Sequence, residues 1–287
     1  MSEAERVAVI HVSRLSVTPV KGFKVWHPDD VMLGETGVAE DRRFYLVDED
    51  GLRFGALRHG PLVRFSARYD DATDELAFRL PDGSEVAGTV EVGEPVTTDF
   101  YGRDVAGHVV RGPWAEAVSA DVGRTVRLVR ADRPGDGVDR GNGGGVTLLS
   151  DASVEELSGR SGEPVDARRF RMLVAVSGTE PHEEDSWIGG EVELGEARVR
   201  VNGHVGRCAI TTQSPETGVR DFDSLRAIKD YRGQNPETRE IDFGVYGQVV
   251  RPGRVRVGDF VRPVGRTRPA EGLSPGGALR DVIRDSP

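Results

Sequence analysis

The single cysteine of this chain, Cys208, lies in the segment with the clearest capacity for chemistry. It follows Gly206 and Arg207 and precedes the run Ala209-Ile210-Thr211-Thr212. A positively charged neighbour lowers the pKa of a thiol, and the thiolate is the form that binds soft metal ions. One cysteine can form neither an internal disulfide nor a structural zinc site by itself. Three roles therefore stay open for Cys208: buried packing, nucleophilic chemistry and soft-metal binding.

The sequence around Cys208 predicts the elements that position it. The turn sequence at residues 214–218 ends a short predicted strand over residues 209–212, so Cys208 is expected at the entrance of a strand. Asn202-Gly203 is the usual sequence of a tight hairpin turn. The apolar periodicity further predicts strands over residues 173–176 and 191–201, a helix over 222–231 and a closing strand pair over 254–264.

The first half of the chain has the pattern of a small all-β unit. Short β-rich segments, separated by turns such as Asp50-Gly51 and Asp82-Gly83, predict a closed or partly closed barrel. These segments cover residues 43–47, 62–69, 76–80 and 85–91. A helical pattern follows over residues 113–122, and then a Gly- and Asp-rich loop over 131–145. After the loop, a short helix can be capped by Ser150, or by Ser153 with Glu156 as its capping-box partner.

Together these elements predict an α+β fold that is mainly β with short helices. The length of 287 residues favours two domains. We place their boundary near residue 120, with an N-terminal β-barrel-like domain over residues 8–120, a second domain over 121–264 and a flexible tail over 265–287.

Composition excludes some classes of partner. The formal net charge of -10 disfavours binding to a nucleic-acid backbone, which requires clustered Lys and Arg. No stretch approaches the roughly 20 apolar residues of a membrane span. The first ten residues lack the basic and then apolar run of a signal peptide. We therefore expect a cytoplasmic protein that binds neither nucleic acid nor membranes.

Several motifs, in the same order along the chain, resemble the MOSC (molybdenum cofactor sulfurase C-terminal) family. Arg207-Cys208, the Thr-Thr pair and the Glu216-Thr217-Gly218 turn are similar to the cysteine motif of that family. The N-terminal half resembles the β-barrel domain that precedes MOSC. The other matching segments are residues 18–22, 41–43, 57–62, 169–171, 176–179, 183–187, 243–246 and 257–259.

The resemblance implies an N-terminal β-barrel domain, a MOSC β-barrel domain and a molybdenum cofactor whose metal is bound by Cys208. Because this cofactor is a phosphorylated pterin, its site needs cationic groups and backbone donors. Residues 141–145 can likewise present backbone N–H groups to an anion, although this run lacks the Lys-Ser or Lys-Thr pair of a nucleotide-binding loop. On the matching positions, the predicted cofactor-binding residues are Lys21, Gly22, Arg42, Arg58, Thr147, Arg171, Gly206, Arg207 and Tyr246.

The chain departs from the family pattern at three places. Members that reduce N-hydroxylated compounds usually carry Pro-Asn where Met172-Leu173 stands, Ser where Gly206 stands and Gln where Val245 stands. Two amides and a hydroxyl are therefore missing from the expected site, which puts the substrate and the redox activity in question. The cysteine and the basic residues are kept.

The implied function is that of an oxidoreductase like the mitochondrial amidoxime reducing component and its bacterial relatives. Such an enzyme removes oxygen from N-hydroxylated or N-oxide small molecules and releases water. The chain lacks the cysteine cluster of a fused ferredoxin and a strand-placed Gly-x-Gly-x-x-Gly motif. Electrons would therefore come from a separate ferredoxin or a cytochrome b5-like protein with its reductase. Two alternatives stay open: sulfur transfer through a persulfide on Cys208, and carriage of the cofactor without turnover.

Overall fold

The computed structural model describes residues 9–265, and most of its regular structure is β-strand. The N-terminal part contains β1 (His11–Leu15), β2 (Asp30–Gly34), β3 (Gly37–Val38), β4 (Phe44–Val47), β5 (Arg53–Phe54), β6 (Ser66–Asp70), β7 (Glu75–Arg79), β8 (Glu85–Thr89), β9 (Glu91–Asp99), β10 (Asp104–Arg111), α1 (Trp114–Val122) and β11 (Arg127–Ala131). The C-terminal part contains β12 (Val146–Ser150), α2 (Asp151–Ser161), β13 (Val174–Ser177), β14 (Glu191–Leu194), β15 (Ala197–Gly206), α3 (Ser224–Arg232), β16 (Asp242–Arg251), β17 (Gly253–Arg256) and β18 (Val261–Val264). Short 3-10 helices lie at Gly60–Arg64, Gly141–Gly144, Ala167–Phe170, Glu183–Trp187 and Ala209–Thr212.

The largest sheet forms a nearly closed barrel in the C-terminal part. Its strand order is β1-β13-β12-β16-β15-β14-β18, so β1 and β18 are its edges. These edges meet, because the N–H of Val261 donates to the carbonyl of Ile10 and the N–H of Val12 donates to that of Asp259, both at 2.9 Å. Closure of this kind leaves few backbone groups unpaired at the sheet edges. The predicted fold, mainly β with short helices, is confirmed.

The period-two pattern of β15 sets which face of this barrel is buried. Ala197, Val199 and Val201 are fully buried in the barrel core, while Arg198 and Arg200 alternate with them and pair with Glu191 on β14. Burying one valine side chain stabilises a fold by about 1.5–3 kcal/mol. A one-residue shift in register would expose all three apolar side chains.

The N-terminal half is built from a five-stranded sheet, β5-β4-β11-β10-β9, and a three-stranded sheet, β6-β7-β8. Phe23, Phe65 and Phe78 form part of its buried core. Trp114, the first residue of α1, is buried in the same core and donates from Nε1 to the carbonyl of Leu76 at 3.1 Å. A third sheet, β17-β2-β3, joins this half to the C-terminal barrel.

The predicted helices over residues 113–122 and 222–231 are confirmed as α1 and α3, and the helix after the Gly-rich loop is α2. Of the two predicted caps, Ser150 is the one that begins α2, since its hydroxyl accepts the N–H of Ser153 at 3.0 Å. An N-cap serine satisfies one of the free N–H groups at a helix start. Gly162, with a φ of +78°, ends the helix.

Of two predictions about the segment before Cys208, one is confirmed and one is wrong. Strand structure covers residues 191–201 as predicted, but as two strands, β14 and β15, which turn at Gly195 with a φ of +54°. Asn202-Gly203 is not a turn, because β15 continues through it with a bulge between Val201 and Gly203. Gly203 lies opposite Tyr246, and a Cβ at this position would lie 3.2 Å from the tyrosine ring. The glycine permits a close approach between strands and does not reverse the chain.

Two further segments form structure that differs from the prediction. Residues 60–64 are a 3-10 helix with Pro61 near its start, and the strand predicted over 62–69 begins only at Ser66. The fixed φ of proline suits the first turn of a helix. β17 and β18 both form, but they do not pair with each other: β17 pairs with β2 and β18 pairs with β14.

The predicted domain boundary near residue 120 stays a prediction. Strands on its two sides pair across it, since β11 lies between β4 and β10, and β1 joins the C-terminal barrel. The predicted tail over residues 265–287 lies, from residue 266 onward, outside the described residues. Within residues 9–265, no helix has the length and apolar character needed to span a membrane.

Candidate functional site

Cys208 is exposed and lies between the end of β15 and the 3-10 helix Ala209–Thr212. The strand predicted over these residues is wrong, for a reason found in the two threonines. The hydroxyl of Thr211 donates to the carbonyl of Cys208 at 3.0 Å, and that of Thr212 donates to the carbonyl of Ala209 at 2.7 Å. Such bonds back along the chain favour a turn over an extended strand. The thiol is therefore presented at the start of a tight turn.

Arg207 connects the cysteine segment to two other elements. Its side chain donates to the carbonyl of Phe243 at 2.8 Å, to the carbonyl of Phe170 at 3.1 Å and to the sulfur of Met172 at 2.9 Å. Burial lowers the pKa of Arg207 to about 9, and a Cys208 thiolate opposes this shift. Because its donors are directed at these acceptors, the geometry favours a positioning role. Its prediction as a cofactor-binding residue stays a prediction.

Arg169 holds the other side of the same turn. It is 6% exposed, and it donates to the carbonyls of Thr211 at 2.9 Å and Gln213 at 3.2 Å. Its guanidinium also lies 3.3 Å from the carboxylate of Asp221. The buried Arg169 and the partly buried Arg207 therefore fix the backbone around Cys208.

Gly206 lies opposite Asp242 in the β15–β16 pair. A Cβ at this position would overlap the carboxylate of Glu240 and would lie 3.0 Å from the Glu240 Cβ. The side chain of Glu240 thus occupies the space into which the serine common in the family would extend. A side chain at position 206 would therefore require the Glu240 side chain to move.

Thr147 and Tyr246 are direct partners across β12 and β16. The hydroxyl of Thr147 accepts the N–H of Leu173 at 2.8 Å, and the guanidinium carbon of Arg140 lies 4.3 Å from the centre of the Tyr246 ring. Leu173 and Val245 are buried in the barrel core. At these two departures from the family pattern, the chain therefore has packing side chains where relatives carry amides.

Lys21, Arg42 and Arg171 form a cluster of cations beneath the cysteine turn. Lys21 makes an ion pair of 2.6 Å with Asp139, and Arg42 donates to the carbonyl of Arg171 at 3.0 Å. Burial lowers the pKa of Lys21, as do the charges of Arg42 and Arg53, whereas Asp139 raises it. Burial also lowers the pKa of Arg171 to about 10, and the charge of Arg42 acts in the same direction. Asp139 and Asp41, the ion-pair partners of Lys21 and Arg42, balance two of these three charges, so the cluster keeps a net positive charge that favours binding of an anion.

One short segment connects the cations to the cysteine. The carbonyl of Phe170 accepts from Arg207, and the carbonyl of the next residue, Arg171, accepts from Arg42. Arg42 and Arg171 both have a φ of +53°, which non-glycine residues seldom adopt. Strained backbone tends to occur at functional sites. The structure thus brings together Cys208 and residues that lie far away in the sequence.

Gly22 and Arg58 lie at the edge of this site. Gly22 has a φ of +95°, and a Cβ there would lie 3.3 Å from the backbone nitrogen of Ala56. Arg58 is exposed, and in residues 9–265 its side chain has no hydrogen bond or ion pair that joins it to the cation cluster. Its loop contacts the cysteine loop instead, where Gln213 donates to the carbonyl of Leu57 at 3.4 Å.

Sequence reasoning missed four charged residues at the site: Arg53, Arg103, Asp139 and Arg140. Asp139 and Arg140 immediately precede the run 141–145, which the sequence already marked as a possible anion loop. That signal was sufficient to find them. Arg53 and Arg103 lie in no recognised motif, and only the fold brings them near Lys21 through the ring of Phe100.

Comparison with known proteins decides the family. The MOSC domain model matches residues 137–262, and the model of the MOSC N-terminal beta barrel domain matches residues 9–113. This chain belongs to the MOSC family. This MOSC chain is 32% identical to mitochondrial amidoxime-reducing component 1 of Homo sapiens, over 89% of the chain and 83% of that protein. It is 27% identical to the same component of Mus musculus, over 89% and 82%, and 28% identical to component 2 of Homo sapiens, over 87% and 82%.

Proposed function

We propose that this protein binds a molybdenum cofactor through Cys208 and reduces N-hydroxylated or N-oxide small molecules. Electrons would come from a separate protein of the ferredoxin or cytochrome b5-like class. The observation that carries the proposal is the link from the exposed thiol, through Arg207, Phe170 and Arg171, to the partly buried cation Arg42. The relatives named amidoxime-reducing components support it.

The residues present fit a phosphorylated cofactor held by a thiolate. The thiol of Cys208 is exposed and is a soft ligand, which suits molybdenum better than carboxylate-preferring ions. Lys21, Arg42 and Arg171 supply donors for phosphate oxygens. Asp139, the acid paired with Lys21, has a side chain that is 56% exposed, so it can turn toward solvent when a phosphate arrives.

Each group then has a distinct task. Cys208 would hold the metal, and Arg207 and Arg169 keep its turn in place. Lys21, Arg42 and Arg171 would hold the phosphate, while Gly22, Arg58, Thr147, Gly206 and Tyr246 would complete the surroundings of the pterin. When bound, the cofactor supplies the two-electron redox chemistry. Cleavage of the N–O bond consumes two electrons and two protons and releases water.

The test compares the molybdenum and pterin content of the parent protein with that of Cys208→Ala and Cys208→Ser, all expressed in a host that makes the cofactor. We expect near-stoichiometric molybdenum in the parent and its loss in both variants. The loaded parent should oxidise a reduced viologen dye when an amidoxime is added. Molybdenum retained without turnover would indicate a carrier. Absence of molybdenum together with a persulfide on Cys208 would indicate sulfur transfer and contradict the proposal.

We also propose that the protein acts in the cytoplasm. The named relatives are mitochondrial, so fractionation of cells that express the native gene, followed by immunodetection, distinguishes the two locations.

A further inference from the structure

Three cationic side chains surround the ring of Phe100, which is 1% exposed at the end of the β9–β10 hairpin. The centre of this ring lies 5.5 Å from Lys21 Nζ, 4.8 Å from Arg53 Cζ and 5.7 Å from Arg103 Cζ. Since Lys21 belongs to the cation cluster of the site, this hairpin from the N-terminal half forms a wall of that site.

Two of these three cations already have partners. Lys21 is paired with Asp139, and Arg103 donates to the carbonyls of Asp136 and Val138, both at 2.8 Å. For Arg53, residues 9–265 provide no carboxylate within ion-pair distance, and its Nε is buried without a hydrogen-bond acceptor. A partly buried guanidinium that lacks an anion is unfavourable, so it favours uptake of one.

Tyr101 holds Arg53 from the other side. The Arg53 Cζ lies 3.9 Å from the centre of the Tyr101 ring, close enough for a cation–π contact. Tyr101 and Gly102 form a two-residue turn with φ values of +59° and +83°, bounded by a hydrogen bond of 2.7 Å from Phe100 to Arg103. Glycine, asparagine and aspartate are the usual residues at such a position. Tyrosine seldom adopts such a conformation, and here its ring is the group that contacts Arg53.

We propose that Phe100 and Tyr101 clamp Arg53 as an anion-binding side chain in the wall of the Cys208 site. The Arg53 guanidinium then donates to an oxygen of a phosphate or a carboxylate. Two sources share this chemistry: the phosphate of the cofactor, and a carboxylate on a substrate. The identity of the anion rests on the proposed function, whereas anion binding itself does not.

The charges around Tyr101 act on its phenol. Partial burial raises the pKa of this phenol, and the negative charges of Asp139 and of a Cys208 thiolate act in the same direction, while Arg53 opposes them. The phenol therefore lies within electrostatic range of both the cysteine and the acid that neutralises Lys21.

The first test uses cofactor-free protein at low ionic strength and inorganic pyrophosphate as the probe, with titration calorimetry as the readout. Arg53→Gln should weaken binding about tenfold or more, because a charge-assisted hydrogen bond is lost. The matched control is Arg68→Gln, which removes the same charge from an exposed position on β6. It should leave the affinity within about twofold of the parent. Equal weakening by both variants would overturn the proposal.

A second pair of variants separates binding from folding. Tyr101→Phe keeps the ring and should bind pyrophosphate like the parent. Tyr101→Asn tolerates the left-handed backbone but removes the ring. It should keep or raise the melting temperature while it binds pyrophosphate more weakly. If Tyr101→Asn lowers the melting temperature and leaves the affinity unchanged, the residue is only structural and the clamp is refuted.

Two further measurements on Arg53→Gln distinguish the sources of the anion. If the partner is the cofactor phosphate, the molybdenum and pterin content of the purified variant falls below that of the parent. If it is a substrate carboxylate, the content is unchanged and KM rises only for a carboxylate-bearing amidoxime, not for its neutral analogue. If neither quantity changes, Arg53 has no role at this site. Should the parent itself hold no molybdenum, the proposed function fails, and the pyrophosphate comparison still decides the clamp.

Discussion

The cysteine loop meets the N-terminal half at a contact between two glycines, and alanine at either one should destabilise the protein. A Cβ on Gly60 would overlap the carbonyl oxygen of Gly218 and would lie 2.9 Å from its carbonyl carbon. A Cβ on Gly218 would overlap the carbonyl of Gly60 in the same way. Because both neighbours are backbone atoms, no side chain can rotate to relieve the overlap, and the two loops must separate.

The two substitutions should differ in how much they destabilise the protein. Overpacking of this kind costs about 1–3 kcal/mol, which we expect for Gly60→Ala. Gly218 also has a φ of +74°, and a left-handed conformation adds about 1–2 kcal/mol for alanine. Gly218→Ala should therefore destabilise by about 2–5 kcal/mol. Since both methyl groups enter the same gap, the double variant should lose less than the sum of the two.

The matched control is Gly162→Ala at the end of α2. Gly162 has a φ of +78°, and a Cβ there meets nothing within 4 Å. Gly162→Ala should therefore lose stability only through its left-handed backbone conformation, by about 1–2 kcal/mol. Urea unfolding followed by circular dichroism gives the free energies. The rate at which a thiol reagent labels Cys208 reports on the loop, because the chain has a single cysteine. This rate should change for Gly60→Ala and Gly218→Ala and stay constant for Gly162→Ala.

One contradicting result is a free energy of unfolding for Gly60→Ala within about 0.5 kcal/mol of that of the parent, which is the usual range for surface substitutions. The other is a loss of stability in Gly218→Ala that is no larger than the loss in Gly162→Ala. Either result would mean that the two loops are not packed against each other in solution.

Two more predictions concern buried polar groups near the site. Burial lowers the pKa of His182 to about 4, and the neighbouring Arg232, which donates to its Nδ1, acts in the same direction. As the pH falls from about 6.5 to about 4, His182 becomes protonated in the unfolded chain but stays neutral in the folded chain. The folded state should therefore lose about 1–3 kcal/mol of stability over that pH range. His182→Asn can still accept a hydrogen bond from Arg232, and it should remove most of this pH-dependent loss of stability. Urea unfolding midpoints at pH 7 and 4.5 measure the loss in each protein. Equal losses in the variant and the parent would contradict the prediction. Arg169→Met leaves the carbonyls of Thr211 and Gln213 without their donor. The variant should therefore be less stable by about 2–4 kcal/mol, and a thiol reagent should label its Cys208 faster. An unchanged labelling rate would show that Arg169 does not hold the turn.

Local sequence patterns were sufficient to predict the structure where a residue's role depends on its near neighbours. The helix α2 could be predicted because Ser150 begins it and because Gly and Asp residues precede it. The alternation along β15 follows from burial of one face of a strand, a property that extends over only a few residues. The ordered motifs around Cys208 likewise identified the family before any contact was known.

Local patterns failed where two conformations satisfy the same residues. Thr211 and Thr212 suit a strand, yet their hydroxyls also stabilise a 3-10 turn, and packing of Arg169 against that turn favours the second outcome. Asn202-Gly203 suits a hairpin, yet Gly203 is used for close approach to Tyr246. Which conformation forms depends on the residues that pack against the segment, and these residues lie far from it in the sequence.

The family, the mainly β fold with its short helices and the candidate thiol at Cys208 could therefore all be inferred from the amino-acid sequence. The charges that surround that thiol follow from the tertiary structure. Lys21 and Asp139 are 118 residues apart, and Arg42 and Arg171 are 129 residues apart, yet each pair is in direct contact. Side-chain spacing along a strand or helix reports contacts a few residues apart, whereas ion pairs across such distances exist only once the two halves have folded against each other.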